Sequence, residues 1–247
     1  EINGKELIYD WNVTGEKRKP AAKRVLITDE TLRDGLQSPS VTHPSIQDKV
    51  YLLYLMRCLE IDAADLRLCG AGERFKKDVT VLAKEIANQH MPIVPQSAAR
   101  TVEADIAPIV DASQEAGIPI EACIFLGSSP IRQYAEGWDV PTLLKLTESS
   151  VSFAVKHGLP VMFVTEDTTR AQPEHLKQIY ECAIRSGAHR VCAADTVGHA
   201  TPQGVYELIR FLRATVDEVD PNVGIDWHGH RDRGLDIANS LAAIEAL

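Results

Sequence analysis

Two short stretches near opposite ends of the sequence combine residue types that bind metal ions and anions. The first is Asp-Glu-Thr-Leu-Arg-Asp-Gly-Leu-Gln at residues 29–37, in which Arg33 and Asp34 follow a short apolar run. The second is His-Gly-His, with His228 and His230 at the end of another apolar run. Alternate residues of a strand point to the same side, so the two imidazoles can share one ion. Two histidines and one carboxylate leave coordination positions open, as in catalytic divalent metal sites.

Each stretch also has a simpler interpretation. The charged residues 28–37 could form a solvated loop with local ion pairs. A histidine is more often a structural residue than a metal ligand. The metal interpretation gains weight because both stretches follow apolar runs within one repeating pattern of strands and helices.

The elements that must position these residues alternate along the chain. Gly117, Gly158 and Gly187 stand where a helix is expected to end before the next strand. We predict strands at residues 25–27, 61–68, 92–95, 118–126, 159–164, 190–194 and 223–227. We predict helices at residues 46–59, 77–89, 103–116, 140–157, 173–186 and 202–219. This alternation predicts a parallel sheet covered by helices.

Seven such strands could form an open doubly wound sheet or most of an eight-stranded barrel. No glycine-rich phosphate loop follows the first strand, which disfavours a nucleotide-binding doubly wound fold. In a barrel, the end of every strand contributes to one site. Polar residues fall at or just past the strand ends, namely Arg33, Asp34, Asp65, Arg67, Gln96, Arg100, Ser128, Ser129, Glu166, Asp167, Asp195, Thr196, His228 and His230. We therefore predict an α/β fold, the TIM (β/α)8 barrel. The eighth strand is absent from this sequence, and we expect it in a C-terminal segment outside it.

Length and composition limit the classes of protein to consider. The 247 residues suit one large domain, which we place at residues 25–247 after a polar N-terminal extension at residues 1–24. The formal net charge of -9 argues against nucleic acid or an anionic membrane as the partner. No apolar run is long enough to span a membrane, and we see no signal-peptide core. The five cysteines include no Cys-x-x-Cys pair, which predicts reduced thiols in a cytoplasmic protein.

Four segments together resemble a known superfamily. They are the two stretches above, Thr-Glu-Asp-Thr-Thr-Arg at residues 165–170 and Asp-Thr-Val-Gly at residues 195–198, and they resemble the DRE-TIM metallolyases. The segment after His230 is most similar to the isopropylmalate, homocitrate and citramalate synthase branch. The Arg-Asp-Gly-Leu-Gln sequence at residues 33–37 also matches the hydroxymethylglutaryl-CoA lyase branch. The resemblance covers roughly residues 24 to 247.

This resemblance implies a divalent metal ion, Mg²⁺, Mn²⁺ or Zn²⁺, held by Asp34, His228 and His230. It also implies that Arg33 stabilises negative charge that develops on a substrate oxygen. Glu166 matches the family's strand-end glutamate and is our candidate for the general base or for the residue that orients it. The implied reaction is the condensation of acetyl-CoA with a 2-oxo acid, as in 2-isopropylmalate synthases. We expect the enzyme to be a homodimer.

Three further residues are candidates for contact with the substrate. Gln37 would hold Arg33 or the substrate, and Thr196 is similar to the family's substrate-contacting threonine. Arg100 could meet a substrate carboxylate through two parallel hydrogen bonds. Simpler roles stay open, because Arg100 could be an ion-paired residue of the rim and Asp195 could cap the following helix.

The sequence departs from the family at two positions. Asp65 stands where the family usually has a glutamate that pairs with the arginine, so we expect a looser pair or an intervening water. Arg132 stands where many synthases have a histidine, so the identity of the 2-oxo acid stays open.

Two other functions also stay open. One is a carbon–carbon lyase, which is the mechanistic reverse, and the other is a metal-binding paralogue without turnover.

Overall fold

The structure is a computed structural model that describes residues 24–247. Its strands are β1 (Thr28–Asp29), β2 (Ala63–Leu68), β3 (Val94–Arg100), β4 (Glu121–Gly127), β5 (Val161–Glu166), β6 (Arg190–Asp195) and β7 (Gly224–Gly229). Its helices are α1 (Ile46–Cys58), α2 (Glu73–Asn88), α3 (Glu103–Ala116), α4 (Pro130–Glu136), α5 (Val140–Lys156), α6 (Pro173–Arg185), α7 (Pro202–Asp217) and α8 (Asp236–Glu245). Of the predicted N-terminal extension at residues 1–24, only Arg24 lies within the described residues.

The seven strands form one parallel sheet in the order of the sequence, from β1 to β7. Each strand is followed by a helix or a helical turn before the next strand begins. This is the arrangement of a (β/α)8 barrel that lacks its eighth strand, so the predicted fold is confirmed. Consecutive parallel strands place all their carboxyl ends at one end of the sheet, and the candidate site lies there.

Apolar side chains fill the space between the sheet and the surrounding helices. One large buried cluster joins β2 to β5 with α1, α2, α3 and α5, and a second joins β6 and β7 with α6, α7 and α8. Inside the curved sheet a small third cluster contains Cys123, Met162 and Cys192. All five cysteines are free thiols. Cys123 and Cys192 are buried in this inner cluster, and Cys69 is buried in the large cluster.

The first strand was predicted wrongly. Residues 25–27 were expected to form a short buried strand, but β1 comprises only Thr28–Asp29. The side chains of Val25, Leu26 and Ile27 are 45–58% exposed. The reason is that β1 is an edge strand whose single neighbour among the described strands is β2.

The third strand was also predicted wrongly, because its polar residues interrupt the apolar pattern. It was expected at residues 92–95 but runs over Val94–Arg100. Gln96 is therefore near the start of the strand, and not at the carboxyl end where the sequence pattern suggested it. Its amide donates to Glu121, and the hydroxyl of Ser97 donates to the backbone oxygen of Arg67. Both side chains are buried inside the sheet, where the Gln96 amide nitrogen and the Ser97 hydroxyl are satisfied and Gln96 Oε1 has no hydrogen-bond partner among the described residues.

An ion-pair network lies near the amino ends of the strands, away from the candidate site. Arg190 donates to both carboxylate oxygens of Glu121 and lies 3.2 Å from Asp226. His189 Nε2 is 2.9 Å from Glu121. Burial raises the pKa of Glu121, but hydrogen bonds from His189 and Arg190 outweigh it and lower the pKa to about 2. This carboxylate is therefore held ionised within the sheet.

In residues 24–247, the helices are all too short or too polar to cross a lipid bilayer.

Candidate metal centre

The loop after β1 is fixed by one buried leucine and by its own backbone. Leu32 is 1% exposed and packs in the large cluster, so the residues on either side of it are held at the carboxyl end of the sheet. The backbone oxygen of Glu30 accepts from Arg33 N at 3.2 Å and from Gly35 N at 3.0 Å. This tight turn places Arg33 and Asp34 over the open end of the sheet.

The two histidines come from the carboxyl end of β7, at the opposite edge of the sheet. His228 is in the strand, and His230 follows Gly229, so both imidazoles point to the same side. The backbone N–H of His230 donates to the Asp195 carbonyl at 3.4 Å, which ties it to the end of β6. A side chain at Gly229 would clash with Trp227, because its Cβ would lie 2.8 Å from Nε1.

The side chains of Asp34, His228 and His230 converge on a common point. The two Nε2 atoms are 3.2 Å apart, and each is 3.9 Å from Asp34 Oδ2. A point in their plane is therefore about 2.1 Å from all three atoms, within the range of about 2.0–2.2 Å for bonds from imidazole or carboxylate to a divalent metal. The donor set and its spacing fit a divalent metal ion, as the sequence predicted.

Arg33 lies beside this triad and is held by carboxylates on several sides. Its guanidinium contacts Glu30 at 2.6 Å, Asp34 at 3.2 Å and Asp65 at 3.3 Å. Burial lowers the pKa of Arg33, but the negative charges of Glu30, Asp65 and Asp34 outweigh it and raise the pKa. The guanidinium is therefore a permanent positive charge in a fixed orientation next to the metal ligands.

Asp65 pairs with Arg33 directly. The distance of 3.3 Å is longer than the roughly 2.7–2.9 Å of a strong charge-assisted hydrogen bond, as expected for the looser of the two predicted arrangements. Asp65 is fully buried, and this burial, together with the nearby charge of Glu30, raises its pKa well above the usual range. Asp65 is thus a buried carboxyl group of raised pKa that lies next to the fixed guanidinium of Arg33.

Glu30 is the site residue that the sequence reasoning did not single out. Its Oε2 accepts from Arg33 Nε at 2.8 Å, and its Oε1 is 3.7 Å from His228 Nδ1. Burial raises the pKa of Glu30, but the contact with His228 and the charge of Arg33 outweigh it and lower the pKa. Glu30 therefore orients both the cation and one imidazole, as partners of metal-binding histidines commonly do. Its spacing of three residues from Arg33 was the available signal.

Glu166 lies at the carboxyl end of β5, where it was predicted. Its Oε2 is 3.7 Å from a terminal nitrogen of Arg132, which also lies 3.2 Å from Glu136. Burial raises the pKa of Glu166, and the positive charges of Arg132 and Arg33 oppose this effect. A carboxylate of raised pKa that feels the charge of Arg33 has the properties of a general base.

The loops after β5 and β6 are joined by hydrogen bonds that use two of the predicted residues. Thr196 Oγ1 accepts from the backbone N–H of Asp167 at 2.8 Å. The Asp195 carboxylate accepts from the backbone N–H groups of His199 and Ala200, so it caps the turn that follows β6. Asp195 therefore does not cap the following helix, as one interpretation of the sequence suggested, because Thr201 is the N-cap of α7 and accepts from the backbone N–H of Gly204.

The remaining predicted residues lie apart from the triad. Both oxygens of Asp105 accept from Arg100, at 2.6 and 2.9 Å, on a rim where the Arg100 side chain is 66% exposed. The structure therefore does not bring Arg100 to the metal ligands. Gln37 closes the helical turn Gly35–Gln37 and lines a cavity together with Arg33.

The HMGL-like family matches residues 24–246 of the chain, which is most of its length. The chain belongs to the HMGL-like family. This is the DRE-TIM superfamily that the four segments resemble, and its enzymes use a divalent metal ion. The HMGL-like domain here carries the Asp34, His228 and His230 donor set at the expected end of the sheet.

The similar proteins include 2-isopropylmalate synthases among the relatives and HMG-CoA lyases among the solved structures. A 2-isopropylmalate synthase of Pyrococcus abyssi is 35% identical over 225 residues, which cover 91% of this chain and 45% of the relative. The chain thus spans less than half of the length of that relative. An HMG-CoA lyase of Bacillus subtilis superposes with a TM-score of 0.72 at 20% identity, over 92% of this chain and 76% of the lyase. An Acinetobacter baumannii HMG-CoA lyase in complex with coenzyme A and 3-methylmalate gives 0.67 at 17% identity, over 90% and 71%.

Proposed function

We propose that this HMGL-like protein is a metal-dependent acyltransferase that condenses acetyl-CoA with a 2-oxo acid, in the manner of a 2-isopropylmalate synthase. The observation that carries the proposal is the convergence of Asp34, His228 and His230 on one point, with Arg33 beside it. The relatives named 2-isopropylmalate synthase favour this branch over the lyases, because the lyases are 20% identical or less and indicate the fold alone.

Asp34, His228 and His230 would hold the divalent ion. When bound, the ion supplies a Lewis acid that polarises the keto group of the 2-oxo acid. Two imidazoles and one carboxylate suit several divalent metals, so the donor set alone does not select among Mg²⁺, Mn²⁺ and Zn²⁺.

Arg33 supplies positive charge where the keto oxygen becomes negative. Its guanidinium is already fixed by Glu30, Asp34 and Asp65, so it does not need to reorganise during the reaction. A fixed cation aimed at developing charge lowers the transition-state energy more than one that must first be ordered.

Glu166 takes the proton that condensation requires. A methyl proton of acetyl-CoA passes to the carboxylate, and the methyl carbon forms a bond to the keto carbon. The keto oxygen takes up a proton and becomes a hydroxyl group, and water then hydrolyses the thioester to a carboxylate and free CoA thiol. The raised pKa of Glu166 brings its basicity closer to that needed for a weak carbon acid. Gln37, in the helical turn after Arg33, and Thr196, next to the end of β6, would contact the acid.

The test measures thiol release and metal content on the same preparations of the full-length protein. Wild type is incubated with acetyl-CoA and a panel of 2-oxo acids, with and without Mg²⁺, Mn²⁺ or Zn²⁺. We expect metal-dependent thiol release with at least one acid, and about one bound metal per chain by elemental analysis. Asp34→Ala should lose both. Asp111→Ala is the matched control, because Asp111 is 58% exposed on the outer face of α3 and pairs with Lys76.

Other outcomes assign the alternatives. Cleavage of a 3-hydroxyacyl-CoA to acetyl-CoA, without condensation, would assign the lyase. Metal binding that Asp34→Ala abolishes, without turnover of any substrate in either direction, would assign a paralogue without catalysis. Equal thiol release by wild type and Asp34→Ala would rule out the proposed mechanism.

A further inference from the structure

The loop that follows β5 begins with a residue in an unusual backbone conformation. Asp167, directly after Glu166, has a φ of 55° and a ψ of 36°, which is left-handed. Among the described residues other than glycine, only Glu60 and His90 also have a positive φ, and both are exposed and lie two residues after the end of a helix. Asp167 instead follows a strand and is 2% exposed. Because a side chain makes this conformation unfavourable, the contacts of Asp167 must hold it.

The carboxylate of Asp167 closes this turn through Arg170. It accepts from Arg170 Nε and from a terminal nitrogen of the same guanidinium, both at 2.7 Å. The backbone oxygen of Asp167 also accepts from Arg170 N at 3.2 Å. Two parallel hydrogen bonds from a guanidinium fix the direction of a carboxylate as well as its distance. Arg170 therefore holds the side chain of Asp167 and, through it, the left-handed turn.

The same loop is joined to the end of β6 at two successive residues. The backbone N–H of Asp167 donates to Thr196 Oγ1 at 2.8 Å. The next residue, Thr168, accepts from Ala194 N at 2.9 Å through its hydroxyl oxygen. Thr168 is buried, so this second bond is shielded from water. The loop that begins at Asp167 and the chain that carries Thr196 are therefore fixed relative to each other.

The backbone of Glu166 is held on the side of β4 as well. Its carbonyl oxygen accepts from the N–H of Ser128 at 3.0 Å and from the Ser128 hydroxyl at 2.9 Å. Ser128 is buried, so both bonds are protected. Glu166 thus lies between a strand neighbour on one side and the turn at Asp167 on the other. The direction in which its carboxylate points depends on the conformation of Asp167.

The hydrogen bond from Asp167 also decides what Thr196 can offer to a ligand. A hydroxyl group has one hydrogen to donate and accepts at its lone pairs. The N–H of Asp167 occupies an acceptor position of Thr196 Oγ1, and no acceptor within residues 24–247 takes the hydroxyl hydrogen. That hydrogen is available to an oxygen of the acid, in a direction set by Asp167.

We propose that Asp167 is a positioning residue, whose left-handed turn fixes Glu166 and Thr196 relative to each other. The inference rests on the proposed function, in which Glu166 takes the proton and Thr196 contacts the acid. Asp167 itself acts through its two neighbours and not on the substrate. Holding a base and a bound reactant in one fixed geometry supplies a large part of catalysis, and small displacements are costly in rate.

The experiment compares Asp167→Ala and Asp167→Asn with wild type, in full-length, metal-loaded protein. Thiol release gives kcat. Calorimetric titration gives the affinity for the 2-oxo acid that releases thiol fastest, or for pyruvate if none does. Asp167→Ala should lower kcat about tenfold to a hundredfold and weaken binding of the acid about threefold to tenfold.

Asp167→Asn is the conservative variant that should rescue most of this loss. Asparagine tolerates the left-handed conformation, and its amide oxygen can still accept from Arg170. Its amide nitrogen cannot accept, so one of the two parallel bonds is lost. We expect kcat about threefold below that of wild type. If Asp167→Ala does not fold, this variant takes its place in the comparison.

A double-mutant cycle with Thr196→Val separates positioning from a general structural role. Valine has the shape of threonine without the hydroxyl group, so Asp167 has no hydroxyl left to orient. In the Thr196→Val background, Asp167→Ala should weaken binding of the acid by less than about twofold. A general loss of structure would instead weaken binding equally in both backgrounds.

Asp217→Ala is the control, because Asp217 also pairs with an arginine, Arg213, at 2.8 Å but is 50% exposed at the end of α7. It should keep the kcat and the acid affinity of wild type. Melting temperature and bound metal are measured first for every variant. The metal content of Asp167→Ala should equal that of wild type, because Asp167 contacts none of the three metal-binding candidates.

Two results would overturn the inference. One is wild-type kcat and acid affinity in Asp167→Ala, and the other is an equal effect of this change in both Thr196 backgrounds. If wild type releases thiol and either result is found, the inference fails while the proposed function stands. If wild type binds pyruvate without thiol release, the proposed function fails, and the cycle on pyruvate binding still decides the inference. If wild type does neither, both fail.

Discussion

The side chains of Arg33 and Asp65 form a direct ion pair across the ends of β1 and β2, with Arg33 Nε 3.3 Å from Asp65 Oδ2. Asp65 is completely buried, so it holds the cation from the inside of the sheet while Glu30 and Asp34 hold it from the loop. The direction of the guanidinium therefore depends on a residue that touches neither the metal ligands nor solvent.

Asp65→Ala should lower kcat about tenfold to a hundredfold, which is the usual effect of removing a residue that orients a catalytic group. KM for the 2-oxo acid should change much less, because Asp65 acts through Arg33 and does not line the cavity. Steady-state thiol release gives both constants. A variant that raises KM at constant kcat would show instead that Asp65 acts on substrate binding.

Leu32 should couple the stability of the core to the metal centre. Leu32→Ala and Leu53→Ala each remove a fully buried side chain of the same cluster, and each should cost about 2–5 kcal/mol of unfolding free energy. Only Leu32→Ala should also weaken Mn²⁺ binding, because Leu32 fixes the loop that carries Asp34. Urea denaturation and Mn²⁺ titration measure the two effects. Equal Mn²⁺ affinities in the two variants would contradict the role given to Leu32.

The pH dependence of kcat should report the ionisation of Glu166. The base must be unprotonated, so kcat should rise with pH through the pKa of Glu166, which burial raises and Arg132 and Arg33 hold down. Arg132→Gln removes one of these charges, so the acidic limb should move to higher pH. Arg185→Gln is the control, because Arg185 is 68% exposed on α6. An acidic limb that stays in place in Arg132→Gln would exclude Glu166 as the group that titrates.

Stability in acid should depend on Glu121. Its pKa falls from the ordinary 4.5 to about 2 in the folded protein, so it contributes stability above about pH 4.5. That contribution, about 3 kcal/mol, is lost as the pH falls from about 4.5 towards 2. Glu121→Gln should be less stable at pH 7, and its unfolding free energy should vary less with pH in this range. The exposed Glu103→Gln should behave as wild type. Urea denaturation at several pH values checks this, and an unchanged acid profile in Glu121→Gln would contradict it.

Much of the architecture could be predicted because the local signals agree with the tertiary structure. Helix α3 was predicted with its observed bounds, since Gly117 adopts a φ of 72° at its C-cap and ends the helix there. The candidate metal-binding residues could be predicted because His-x-His on a strand and Arg-Asp at a strand end each have a direct chemical meaning. Each signal lies within a few consecutive residues, so it can be read from a single sequence.

The errors arose where a residue's environment comes from distant parts of the chain. The start of β3 was misplaced because Gln96 and Ser97 are polar, and their partners Glu121 and Arg67 are on neighbouring strands. The exposure of residues 25–27 depends on the position of β1 at a sheet edge. Arg100 differs from these cases, because its partner Asp105 is only five residues away, and the sequence pattern does not show that the two side chains pair.

Asp34 follows the strand at one edge of the sheet, and the two histidines belong to the strand at the other edge. All the other described strands lie between these two, so a bound ion would link the two edges of the sheet. A nascent polypeptide emerging from the ribosome could thus fold several of its βα units and still be unable to retain the ion until β7 has been synthesised. Metal loading would then have to follow the synthesis of β7.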